Sequence, residues 1–309
     1  MDPKARPFRF GVVVTGEAES GEAWSQYARR VESQGFSTLL VADHYANPMA
    51  CTPLMLAAAV ATTTLRVGSF VLNNDFRHPA MLAKEVATID VLSGGRVELA
   101  LGAGWLKEEY DQVGLPFDSG SVRAERFEEA VGLIKQMLAG QTVHHQGPHY
   151  RLEGYQARPV PVQQPVPLLI GGGGPRMLGL AAREADIVGF VPGSLPGGGL
   201  DPQGFGASVF DHRVSRFDAA VAACGRSHSP ERNILLSTVA PSASEADKEW
   251  IPEDLLASSP FALLGSPGEM VDRLHEHRAR WGLSYFVCFA EHAEHLVPVI
   301  DELRTASSR

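Results

Sequence analysis

Asp43 and His44 leave an apolar run at residues 38–42. A carboxylate and an imidazole emerging from a buried strand are costly unless partnered. Either they hydrogen-bond and tidy the rim of a sheet, or they contact a cofactor and move a proton, since His titrates near neutral pH. A second run, 96–101, ends in Gly102-Ala103-Gly104-Trp105. Small residues there let a flat ring approach the backbone, although the same residues serve ordinary turns. A third run ends in Ser69-Phe70-Val71-Leu72-Asn73-Asn74, with Arg77 and His78 close behind. A fourth run, 166–170, leads into Gly171-Gly172-Gly173-Gly174-Pro175-Arg176 and a helix start. Exposed backbone N–H groups and a helix N-terminus make an anion site there, suited to a phosphate, unless the glycines form only a flexible loop. Neither a Walker Lys-Ser/Thr nor a GxGxxG pattern is present.

Other reactive residues carry weaker signals. His144, His145 and His149 flank a Gln146-Gly147-Pro148 turn, His275 and His277 lie two apart, and His292 and His295 precede the last helix. None has Cys or acidic companions at a ligand spacing, so no metal site is expected. Glu108, Glu109 and Asp111 read as a solvated helix start favoured by the helix dipole. Cys51, Cys224 and Cys288 are odd in number and lack a CxxC pair, which reads as reduced thiols in a cytoplasmic protein. No GxSxG elbow occurs.

The elements that must position these residues alternate from end to end. Strand-like runs fall at 8–14, 38–42, 65–72, 96–101, 166–170, 187–191, 233–239 and 285–290. Helix-like segments fall at 21–34, 53–62, 79–92, 122–139, 176–184, 208–224, 267–281 and 294–303. Strands apolar on both faces, each followed by a helix, call for a parallel sheet, and eight such units favour a closed (β/α)8 barrel. Function in such a barrel gathers at the strand C-termini. Residues 143–152 read as a surface hairpin, and the glycine- and proline-rich stretch 192–206 as a long loop. The chain reads as one domain, 1–309, with a core at 8–304, a lid-like insertion at about 192–210, and frayed ends at 1–7 and 305–309.

Composition narrows the partners. The chain has 309 residues and a net charge of −9, so nucleic acid is not an expected partner. No apolar run of membrane-spanning length is present, and no secretion signal is read at the N-terminus.

Several blocks, taken together, resemble the luciferase-like monooxygenase superfamily. They are Val67-Gly68-Ser69-Phe70-Val71-Leu72, Phe76-Arg77-His78-Pro79, Lys84-Glu85, Asp90-Val91-Leu92-Ser93-Gly94-Gly95-Arg96, Gly102-Ala103-Gly104-Trp105 and Ile170 to Arg176. The resemblance runs from about Phe8 to Leu303. It implies a bacterial-luciferase-like TIM barrel with an insertion after the sixth or seventh strand. It also implies a flavin-like cofactor, either FMN or the deazaflavin coenzyme F420. Asp43-His44 matches a pair common in the deazaflavin branch, so F420 is expected and FMN is the alternative.

By the same resemblance, the cofactor contacts are Asp43, His44, Ser69, Phe70, Val71, Asn73, Gly102, Ala103 and Gly104, with Gly171, Gly172, Gly173, Gly174, Pro175 and Arg176 at the phosphate. A non-proline cis peptide at Phe70–Val71 would back the ring. His44 is the expected proton donor or acceptor, and Asp43 would orient it or bind the ring's polar edge. Arg77, Lys84, Lys107 and Arg176 are the candidate cations for an anionic cofactor. Two positions depart from the sugar-phosphate dehydrogenases of the family. Asn47-Pro48 stands where they carry Trp, and Trp105 where they carry Glu, so the glucose-6-phosphate reaction is not expected; Pro48 and Trp105 are the expected substrate contacts, with packing beneath the cofactor the alternative for Trp105. The implied activity is hydride transfer between the deazaflavin and a small organic substrate, in a cytoplasmic homodimer with a separate cofactor reductase as a further partner. An FMN monooxygenase and a non-catalytic cofactor binder are the competing readings.

Overall fold

The strands carry no in-out alternation, as expected of strands covered on both faces. Leu39, Val67, Val97, Leu99, Ile170, Val188 and Ile234 all lie within 1% of complete burial. In a computed structural model describing residues 6–195 and 199–307, these strands close into a barrel. The first half of the chain holds β1 (Arg9–Val14), α1 (Gly21–Ser33), β2 (Thr38–Val41), α2 (Cys51–Ala61), β3 (Arg66–Ser69), β4 (Leu72–Asn73), α3 (Pro79–Ser93), β5 (Val97–Gly102), α4 (Lys107–Val113) and α5 (Gly120–Leu138). An antiparallel hairpin follows, β6 (Thr142–Gln146) and β7 (Arg151–Gln156). The barrel resumes with β8 (Leu168–Gly172), α6 (Pro175–Glu184), β9 (Ile187–Phe190), α7 (Ala207–Cys224) and β10 (Glu231–Leu236). Then come β11 (Thr238–Ala240), α8 (Glu245–Trp250), α9 (Glu253–Leu256), β12 (Ala262–Leu264), α10 (Pro267–Trp281), β13 (Leu283–Phe289) and α11 (Ala293–Ser307).

All barrel pairings are parallel, and the β3–β5 pairing closes the ring of β1, β2, β3/β4, β5, β8, β9, β10 and β13. The eightfold reading of the sequence therefore holds, with two strands broken. The run at 65–72 splits at the Phe70–Val71 bond, which is cis. The run at 233–239 splits at Ser237, whose N–H turns to Phe261 O at 2.8 Å. The parallel β11–β12 pair, α8 and α9 form an excursion after the seventh stave; of these, the sequence reading had only residues 238–239, as the end of the seventh strand. The segment expected to be frayed at 305–307 instead continues α11, while residues 1–5 and 308–309 lie outside the described residues.

The barrel interior is packed rather than open. Val13, Leu40, Ala42, Ala100, Leu169, Ile187, Tyr285 and Val287 fill it. Below them an ionic lattice closes the N-terminal end. Arg9 reaches Glu98 at 2.6 Å and Glu231 at 3.0 Å, and Arg66 reaches Glu98 at 2.7 Å. The Arg9 guanidinium also lies over the Tyr285 ring at 4.0 Å.

The Leu-Ser-Gly-Gly-Arg block has a structural explanation. Gly94 takes φ 68° and ends α3, and Arg96 then reaches back to Ala59 O, Thr62 O and Leu65 O. It thereby supplies donors to the otherwise orphaned carbonyls at the end of α2.

Glu32 ties α1 to the start of β3. Its Oε1 accepts the N–H groups of Thr63 (2.9 Å), Thr64 (2.6 Å) and Leu65 (2.9 Å). Burial works to raise this carboxyl, but those donors outweigh it and hold the group at about 2, against an ordinary 4.5. A depressed carboxyl stabilises the fold above its unfolded value, and that contribution fades as pH falls from 4.5 through about 2. Glu32→Gln is expected to lose about 1 kcal/mol at pH 7, allowing for solvent screening of a half-buried group. Urea midpoints of the two proteins should converge on acidification towards pH 3 or below, and a gap independent of pH would refute the assignment.

Candidate active site

The C-terminal mouth of the barrel has an apolar floor. Phe70, Val71, Leu235 and Phe289 rest on the interior cluster but remain partly exposed. The cis bond expected at Phe70–Val71 is present, and Val71 sits between two glycines. A Cβ on Gly102 would stand 2.7 Å from Val71 Cγ2, and one on Gly171 3.5 Å from Val71 Cγ1. The neighbouring Ser69 is fully buried, and its hydroxyl donates to Ala100 O at 2.8 Å. It thus holds the strand below the mouth rather than facing into it.

Asp43 is held from two sides. Arg77 donates to both of its oxygens, at 2.6 Å and 2.9 Å, and the Asn73 N–H donates at 3.0 Å. Burial works to lower the Arg77 guanidinium's pKa, but the hydrogen bonds and charge of Asp43 raise it overall. The Asn73 side chain continues the network to Tyr110 Oη at 3.0 Å, and Tyr110 Oη donates to Asp75 at 3.0 Å. Asp75 in turn is clamped by Arg126 at 2.8 Å and 2.9 Å. Gly104 passes so close to this network that a Cβ would lie 1.9 Å from Tyr110 Oη, and its φ is +76°. The half-buried Ala103 packs against the core beside it.

His44 does not share that network. Its Nδ1 lies 2.8 Å from Glu109 Oε2, and its ring stands edge-on to Trp105, 6.2 Å between centroids. The expectation that Asp43 orients His44 is therefore corrected, because Arg77 and Asn73 are the partners recorded for Asp43. Glu109 is also not the solvated helix residue it was expected to be, being only 3% exposed. α4 turns Glu109 and Tyr110 inward while Lys107, Glu108 and Asp111 face solvent. The spacing carried little signal, because Val113, four residues on from Glu109, is itself exposed, and only the neighbouring Tyr110 is buried with it.

The glycine turn begins later than expected, because Gly171 and Gly172 are still within β8. At Gly173 a Cβ would meet Val191 O at 2.7 Å, whereas Gly174 faces open space. Pro175 occupies the first turn of α6, and no side chain caps that end. The N–H groups of Arg176 and Met177 therefore remain for an anion. The Arg176 side chain turns away, to Ser121 O and Glu128 at 3.2 Å each. Of the other candidate cations, Lys107 pairs with Asp111 and Lys84 is exposed on α3. Pro48 is exposed in the loop after β2. The lid-like stretch is fastened by buried Arg213 of α7, which donates to Pro192 O and to Gly204 O at 2.6 Å. Residues 196–198 of that stretch lie outside the described residues.

Elsewhere, cavities of about 400 Å³ and 140 Å³ lie along α10, lined by residues such as Arg273 and Glu276, and the larger also touches Ala262 and Leu264 of β12. His145 pairs with Glu129 at 2.7 Å, and among the described residues no group of three or more His, Cys, Asp or Glu is arranged to hold a metal ion. No helix among the described residues is long and apolar enough to cross a membrane.

Comparison with known proteins agrees with this geometry. The profile of the luciferase-like monooxygenase family matches residues 7–201. A 5,10-methylenetetrahydromethanopterin reductase of Archaeoglobus fulgidus is 29% identical over 80% of this chain and 68% of its own. An F420-dependent glucose-6-phosphate dehydrogenase of Microbacterium testaceum is 26% identical over 94% of this chain and 86% of its own. The solved coenzyme F420-dependent tetrahydromethanopterin reductase of Methanopyrus kandleri superposes with a TM-score of 0.77 at 19% identity, covering 97% of this chain and 99% of that one.

Proposed function

The chain belongs to the luciferase-like monooxygenase family, and from that membership we propose that it is a coenzyme F420-dependent oxidoreductase acting on a small organic substrate. The observation that carries the reading is the seat at the barrel mouth. Val71 of the cis bulge stands between side-chain-free Gly102 and Gly171, and an uncapped helix start lies just beyond. A flat ring with a phosphate-bearing tail fits those features. Relatives spanning most of the chain, a reductase and an F420-dependent dehydrogenase by name, support a redox role.

Phe70, Val71, Gly102, Ala103 and Gly104 would back such a ring, and Gly172 to Gly174 with the N–H groups of Arg176 and Met177 would hold its phosphate. The bound deazaflavin would supply or accept a hydride. The protein's own part is orientation and a proton. Trp105, Leu235 and Phe289 offer apolar surface beside the floor, and His44 stands at its edge with its side chain 30% exposed. It can thus give a proton to, or take one from, a substrate oxygen.

Titration of the purified protein with F420 and with FMN, followed by fluorescence, tests the reading. F420 is expected to bind. Gly173→Ala, whose Cβ meets the Val191 carbonyl, should weaken that binding about tenfold, some 1.4 kcal/mol. Binding of FMN alone would overturn the cofactor assignment and redirect the search to oxygen-dependent substrates. Binding of neither would overturn the cofactor seat itself.

A further inference from the structure

We infer that Glu109 is the positioning residue of His44: it fixes the imidazole in the Nδ1–H form and so leaves Nε2 as the atom that exchanges a proton at the barrel mouth. The evidence is geometric. Glu109 Oε2 lies 2.8 Å from His44 Nδ1, and the Glu109 side chain is 4% exposed against 30% for His44. A buried carboxylate needs a donor, and Nδ1–H is the one its Oε2 has. The other oxygen, Oε1, is buried and has no hydrogen-bond partner among the described residues. The tautomer with a lone pair at Nδ1 would set that lone pair against the Oε2 charge and strip the carboxylate of a donor. The two ring nitrogens point in nearly opposite directions, so fixing Nδ1 on the buried side turns Nε2 towards the exposed side. Trp105, edge-on to the ring, limits its rotation. Asp43 cannot take over this task, because Arg77 and Asn73 already hold it.

The chemical consequence rests on the hydride-transfer reading, whereas the tautomer does not. In the reduction of a carbonyl substrate, the hydride for the new C–H bond would come from the bound reduced deazaflavin, which would be oxidised by two electrons. The carbonyl π pair moves to oxygen, which takes the proton from Nε2 of the imidazolium. His44 is left neutral as Nδ1–H, still bonded to Glu109, and solvent returns the proton at Nε2. Glu109 takes no part in the proton balance; it holds Nδ1–H throughout.

Long-range 1H–15N correlation on the cofactor-free protein labelled at histidine nitrogen reads the tautomer directly. The His44 signals are assigned by their loss in His44→Gln. In wild-type protein, neutral His44 is expected with Nδ1 protonated and Nε2 bare. Glu109→Leu, which removes the acceptor at similar volume, should shift His44 towards the Nε2–H form. Glu109→Gln should restore Nδ1–H through its amide oxygen. With any substrate that turns over, Glu109→Leu should lower kcat about 10–100-fold and leave F420 affinity within about threefold, and Glu109→Gln should recover part of the loss. Neutral His44 found as Nε2–H in the wild-type protein would overturn the inference without any variant. So would unchanged His44 shifts in a folded Glu109→Leu protein. Failure of the cofactor reading would look different, with no F420 bound and the tautomer intact.

Discussion

Replacing His44 by glutamine is expected to reduce turnover by about 10²–10⁴-fold while leaving the cofactor seat intact. Glutamine can keep a hydrogen bond to Glu109, so the buried carboxylate is not abandoned. What it cannot do is accept and release a proton at a ring nitrogen. The side chain is 30% exposed and belongs to neither the interior cluster nor the glycine turn. Stability should therefore change by less than about 0.5 kcal/mol. Single-turnover absorbance of the deazaflavin, set beside its binding by fluorescence, separates the two effects. A loss of less than about tenfold would remove His44 from the chemistry.

Asp43→Ala should act through the fold instead. It leaves the Arg77 guanidinium, 22% exposed, and the Asn73 N–H without their acceptor. Removing one partner of a buried pair typically costs 3–5 kcal/mol; the partial exposure of Arg77 places the expected loss at about 3 kcal/mol. The double variant Asp43→Ala with Arg77→Leu should recover part of that loss, because the orphaned charge is gone. Denaturation midpoints of the single and double variants measure both terms. A single-variant loss below about 1 kcal/mol, or a double variant less stable than the sum of its parts, would show that the pair is not what secures the third stave to the second.

The barrel was legible because its signals are local and repeated. Strands apolar on both faces, a proline opening α3 and glycines closing α1, α3 and α5 each follow from short-range physics. What escaped depends on which way a side chain turns in three dimensions. The acidic residues Glu108, Glu109 and Asp111 are equivalent as helix-start statistics, yet only Glu109 is drawn inward to meet an imidazole 65 positions earlier in the chain. Arg77 was legible as a cation, but not as the partner of Asp43, because the two meet across neighbouring staves. Arg176 was placed correctly at the helix start, yet its side chain had a nearer acceptor in Glu128. The break at Phe70–Val71 came from family resemblance and not from hydropathy, since the residues on either side are as apolar as any strand.

The ionic lattice of Arg9, Glu98, Glu231 and Arg66 lies at the opposite end of the molecule from the mouth. With that end shut and the interior filled, a ligand can reach the floor of Phe70 and Val71 only from the side of the strand C-termini. Were the proposed deazaflavin to lie on the floor of Phe70 and Val71 with a substrate above it, the deeper of the two would have to enter first and leave last.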